Sequence, residues 1–149
     1  MRIPASDALL RFNHIVGEIN SAYHEAALHF GFSDSEFQII YTLSCEGGRC
    51  LLGDICACSG MSKQTVNSAL RKLEREGILT LENYDGKKKT AVFTERGKAL
   101  ADATAAKIIA EENRIYDCWG KENTELYLNL TRNYLEEFLL AVKEMGKTK

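Results

Sequence analysis

The chain has 149 residues, 45% apolar and 27% charged, which suits one compact domain or slightly more and excludes two separate catalytic domains. Eleven Gly and one Pro exclude a collagen-like or Pro-rich disordered chain. No apolar run approaches the roughly 18 residues that span a bilayer, and the first residues lack the apolar centre of a signal peptide. The expectation is therefore a soluble, cytoplasmic protein with no membrane partner. The net charge of −2 conceals an asymmetry: residues 53–98 carry nine Lys/Arg against six Asp/Glu, and the remainder carries ten against fifteen. A basic middle lies between acidic ends.

Residues 7–30 place Leu9, Phe12, Val16, Ile19, Tyr23, Ala26 and Phe30 at alternating spacings of three and four, one stripe of a helix that Gly31 ends. Ser33 to Glu36 fits a capping box, and a second helix follows to about Cys45, where Gly47-Gly48 breaks it. Residues 49–52 read as a short extended segment and residues 53–59 as a short helix. Gly60 makes a turn, and Ser62 caps a helix from Lys63 to Glu76 that Gly77 terminates. Ile78–Asn83 and Thr90–Phe93 read as β-type runs around a tip holding Asp85-Gly86, a hairpin signal.

Thr94 caps an Ala-rich helix that can run to about Cys118, and Trp119-Gly120 then interrupts the pattern. The last helix, about 122–145, carries two adjacent apolar stripes, one with Tyr127, Tyr134 and Phe138, the other with Leu128, Leu135, Leu139 and Val142. That is more apolar surface than a monomer of this size hides, and it points to a partner helix, most simply from a second copy across a two-fold axis. The fold class is mainly α with a small β-hairpin wing.

The chemistry sits between Ile55 and Phe93. A short helix, a Gly-containing turn and a longer helix make a helix-turn-helix, and the hairpin with its basic tip Lys87-Lys88-Lys89 makes it winged. In the longer helix Val66, Ala69, Leu70 and Leu73 face inward, while Lys63, Gln64, Asn67, Ser68, Arg71 and Arg75 face outward. Gln and Asn bond adenine N6 and N7 together, Arg forks onto guanine, and the hydroxyls of Ser62 and Thr65 suit phosphate oxygens. The helix N-terminus adds N–H groups and the positive end of its dipole.

Gly60 to Val66, Leu70 to Leu79 and Phe93 to Gly97 together resemble the MarR family of bacterial and archaeal transcription regulators. The resemblance is specific in this middle segment and architectural at the ends. It implies an obligate homodimer on a pseudo-palindromic double-stranded DNA operator, usually a repressor released by a small-molecule effector. It implies helical dimerisation regions at residues 1–32 and 95–149 and a winged helix-turn-helix at 33–94, in one intertwined unit. The DNA contacts would then be Ser62, Lys63, Gln64, Thr65, Asn67, Ser68, Arg71 and Arg75, with Lys87 and Lys88 in the wing. The family's effector pocket lies between the first helix, the dimer helices and the DNA-binding lobe, which points to Phe12, His14, Phe37 and Tyr41.

Two departures stand out. The family's Asp-x-Arg in the wing is Asp85-Gly86-Lys87 here, which keeps the charge without the flat guanidinium fork. Thr80-Leu81-Glu82 stands where the family often has Arg, which removes a phosphate contact or an ion pair.

Cys45, Cys50, Cys56, Cys58 and Cys118 are an odd number with no export signal, so free thiols are expected rather than disulfides. A thiol-based redox-sensing regulator built on Cys50 or Cys56 is one alternative, with Arg49 beside Cys50 as its hint. A winged-helix protein-interaction module without DNA binding is another. His14, His24 and His29 lack the spacing of metal ligands, and no His-Glu-x-x-His, Gly-x-Ser-x-Gly or phosphate-cradling loop is present. No enzymatic activity, cofactor or metal site is expected.

Overall fold

The computed structural model describes residues 3–84, 86 and 88–147, with the backbone alone described at Tyr84 and Lys88. The element order is α1 (Asp7–His29), α2 (Asp34–Cys45), β1 (Arg49–Leu51), α3 (Leu52–Ser59), α4 (Lys63–Arg75), β2 (Leu79–Tyr84), β3 (Lys88–Phe93), α5 (Glu95–Ala103) and α6 (Ala105–Met145). The chain divides into two compact units, one ending at Lys107 and the other starting at Ile108.

The first unit is built by caps and one apolar core. Ser6, Ser33, Ser62 and Thr94 each accept a backbone N–H of the first turn of the helix that follows them. Ser33 and Glu36 complete the reciprocal capping box. Gly60 closes α3 at φ 64°, a left-handed conformation that side chains resist. The core holds Ile39, Ile40 and Leu43 from α2, Ile55 from α3, Val66, Leu70 and Leu73 from α4, and Leu79 from β2, all essentially without solvent exposure. The inward face expected for α4 is thus the face that is buried.

The sheet has three antiparallel strands in the order β1-β3-β2, with Leu51 opposite Thr90 and Leu81 opposite Ala91. The extended segment after Gly48 therefore joins the hairpin, and the Phe93 N–H donates to the Gly48 carbonyl at 2.9 Å. Where α4 turns into β2, α5 clamps the turn from below. The Thr94 hydroxyl donates to the Gly77 carbonyl at 2.7 Å, the Thr94 N–H donates to the Ile78 carbonyl at 3.1 Å, and a Cβ on Gly97 would lie 1.9 Å from that same oxygen. Only a glycine lets α5 approach so closely.

One expectation needs correction. The Ala-rich helix does not run unbroken from Thr94 to Cys118: it stops at Ala103, and Thr104 leaves helical geometry at φ −127° and ψ −89°. The Thr104 hydroxyl donates to the Leu100 carbonyl at 2.7 Å, a back-bond that bends helices. Ala101, Thr104 and Ala105 are buried there, so small side chains and a tight contact fix the bend.

The second unit consists of the rest of α6. The interruption at Gly120 is present, with φ 75° and ψ 165°. Carbonyls near the break are met by side chains: Thr124 Oγ1 donates to Tyr116 O at 3.2 Å, and Asn123 Nδ2 donates to Trp119 O at 3.1 Å. Trp119 packs edge-on against Tyr116 and Tyr127, with ring centres 5.5 and 5.2 Å away.

Candidate nucleic-acid interface

The outward residues of α4 stand where the sequence places them. Lys63, Gln64, Thr65, Ser68, Arg71 and Arg75 are exposed, and Asn67 is half-buried. Five of them line two open hollows. Lys63 and Asn67, one turn apart, line a hollow of about 720 Å³ with Leu51, Leu52, Gly53, Asp54 and Cys56 of the α3 side and Lys89 of β3. Ser68, Arg71 and Arg75 line a second hollow of about 480 Å³ with Glu74. Wing residue Lys87 and the Lys88 side chain lie outside the described residues, so Lys89 is the wing lysine with a described side-chain position.

The helix start is chemically committed in part. Ser62 Oγ accepts the Thr65 N–H at 3.1 Å and shares a hydrogen bond of 2.8 Å with Thr65 Oγ1. One of the two hydroxyl hydrogens is used in that pair, and the other can be offered to an outside acceptor. Ser62 and Thr65 therefore act as one unit.

Charge pairs fix the α4 platform. The ammonium of Lys72 meets the carboxylate of Glu36 on α2 at 2.5 Å, and the Glu36 side chain is 5% exposed while that of Lys72 is 50% exposed. Burial on its own would raise Glu36, but hydrogen bonds from Lys72 and Ser33 outweigh it and hold the carboxyl below its ordinary value of 4.5. The same bond raises Lys72 above its ordinary value. Neither residue was singled out by its sequence pattern; Glu36 was legible only as a capping-box acid.

Across the sheet, Arg49 donates to Glu82 at 2.9 Å. Glu82 thus forms an ion pair at a place where the sequence suggested that one is lost. It also occupies Arg49, which the thiol reading had set beside Cys50. The Cys50 thiol is buried, donates to the Leu51 carbonyl at 3.5 Å, and is pushed up to about 11 by burial and by the nearby acids Asp54 and Glu46. A thiol so placed stays protonated and unreactive at neutral pH.

Of the four residues expected at an effector pocket, Phe12 and His14 lie on α1 and Phe37 and Tyr41 on α2. Phe37 is in the core and stacks on Phe30, with ring centres 5.8 Å apart. Tyr41 is half-buried and meets Tyr23 edge-on at 6.2 Å. Phe12 and His14 are exposed near the other end of α1, where His14 lies 3.5 Å from Glu18. At a rise of 1.5 Å per residue, Phe12 is roughly 27 Å along the helix from Phe30, so within this unit these side chains do not wall one cavity. Among the described residues no group of three or more His, Cys, Asp or Glu is placed to hold a metal ion, and no helix is long and apolar enough to cross a membrane.

Comparison with known proteins agrees with this geometry. The sequence model of the MarR family matches residues 30–88, from the end of α1 to the wing. Residues 30–88 are thus similar to the winged helix of that family. Solved regulators of that family share the fold of this chain beyond those residues. A MarR family regulator from Neisseria meningitidis superposes with a TM-score of 0.80 at 19% identity, covering 93% of this chain and 99% of that one. MepR of S. aureus, solved in complex with DNA, superposes with a TM-score of 0.66 at 18% identity, covering 91% and 99%. The PcaV regulator of Streptomyces coelicolor, solved with its natural ligand, gives 0.61 at 14% identity, covering 90% and 98%. No curated protein matches the sequence.

Proposed function

We propose that this chain is a sequence-specific DNA-binding transcription regulator that acts as a homodimer on a pseudo-palindromic operator. The observation that carries the reading is the outward face of α4: six hydrogen-bonding or basic side chains, Lys63, Gln64, Asn67, Ser68, Arg71 and Arg75, on a helix whose opposite face is locked into the core. A solvated helix face needs no such set; a major groove uses each member of it. Ser62 and Thr65 meet phosphate, and Lys87 and Lys88 follow the backbone into the neighbouring groove. The DNA-bound MepR neighbour fits this reading.

Residues 1–32 and 95–149 take the dimerisation role, and 33–94 the DNA-binding role. Leu9, Phe12, Val16 and Ile19 on α1 and, separately, Leu128, Leu135, Phe138 and Leu139 on α6 are exposed apolar side chains in the single chain, which a second copy would cover. Repression released by a small-molecule effector is the form of regulation that fits the ligand-bound PcaV neighbour. An interaction module without DNA has no use for the Gln64, Asn67, Ser68 and Arg71 row, and a sensor built on Cys50 conflicts with its buried, protonated thiol.

The test is Arg71→Ala. Each bidentate base contact contributes roughly 1–3 kcal/mol of discrimination, and a homodimer loses two. Specific binding to the operator falls by about 100-fold or more, with the fold intact by circular dichroism. Equal affinity of variant and parent removes α4 from the groove.

A further inference from the structure

The wing strand β2 is an outer strand, because β3 lies between it and β1. Ile78 accepts the Thr94 N–H, which sets the alternation of the ladder: Thr80 and Glu82 turn their backbone groups toward β3, and Leu81 turns its own toward the open edge. At that edge the Leu81 N–H is taken by Glu74 Oε1 of α4 at 3.2 Å. Glu74 belongs to the exposed face of α4 and lines the same hollow as Ser68, Arg71 and Arg75. A carboxylate there repels phosphate, so its presence on this face calls for another role.

We propose that Glu74 is a positioning residue that fixes the wing to the recognition helix through the Leu81 amide, so that α4 and β2 meet DNA as one surface. The turn before it is tied separately, at Ile78 N–H to Leu73 O (3.0 Å) and Gly77 N–H to Glu74 O (3.0 Å). Leu81 lies three residues further along, where the strand leaves the helix, and there the side-chain bond sets the angle of departure. The inference rests on the DNA-binding reading, but the contact itself is testable without DNA.

Two variants separate bond from charge. Glu74→Gln keeps an acceptor oxygen at the same reach and removes the charge; Glu74→Asp keeps the charge and shortens the reach by one methylene. Thermal melts establish that both are folded. Amide hydrogen exchange on the free protein reads the bond directly: in Glu74→Asp the Leu81 amide exchanges about tenfold faster, the equivalent of one lost hydrogen bond, with the Leu73 and Ile78 amides unchanged, and in Glu74→Gln it stays at the parent rate. On a selected operator, Glu74→Asp binds about tenfold more weakly, and Glu74→Gln binds as tightly as the parent or more tightly. Parent-like exchange at Leu81 in Glu74→Asp overturns the proposal, as does parent-like or tighter binding by that variant. If the parent selects no operator, the regulator reading fails, and the exchange arm still decides whether Glu74 holds the wing.

Discussion

Glu36 and Cys50 show how a buried titratable group is settled by its neighbours. Glu36 has two partners, Ser33 at the cap and Lys72 on α4, and they hold it charged in spite of burial. Its folded value lies below the ordinary 4.5, so its contribution to stability is present above pH 4.5 and is lost as pH falls through the folded value. Glu36→Gln therefore lowers the urea midpoint at pH 7, and the gap between variant and parent closes as pH falls below 4.5; a gap that stays constant with pH disproves the pairing. Cys50 has acids for neighbours, and they add to burial in keeping it neutral. In a timed iodoacetamide reaction at pH 8, read by mass spectrometry, the exposed Cys45, Cys58 and Cys118 are labelled first and Cys50 is spared. Rapid labelling of Cys50 would restore the thiol-sensor alternative.

At the scale of elements, the parts with local causes were legible. Caps at Ser33, Ser62 and Thr94, the period of Val66, Ala69, Leu70 and Leu73, and the glycine stops at 31, 60 and 77 depend on residues a few positions apart, and the structure keeps each of them. The break at Thr104 was not legible, because an Ala-rich run carries no breaker and the bend arises from tertiary contact and a Thr back-bond. Of the candidate interface, the outward face of α4 was readable from its period. The Glu36–Lys72, Arg49–Glu82 and Glu74–Leu81 contacts were not, since each joins residues distant in sequence or on different elements. The α5 clamp on the α4–β2 turn has its own consequence. Gly97→Ala drives a Cβ into the Ile78 carbonyl, and overpacking of this kind costs about 3 kcal/mol. The thermal midpoint of that variant falls by roughly 6–12 °C for a protein of this size. An unchanged midpoint would show that α5 stands further from the turn than the clamp requires.

For the whole molecule, the proposed function depends on a second copy. One recognition helix reads only a few base pairs; two, held about one turn of DNA apart, roughly 34–36 Å, read an inverted repeat. A ligand that favours a different spacing shifts the population away from DNA without touching a base contact. Sequence selection from random DNA at physiological salt tests this most directly. The regulator account expects enrichment of an inverted repeat with half-site centres about ten base pairs apart. Weak binding to every sequence with nothing enriched would contradict it and favour an interaction module on the same scaffold.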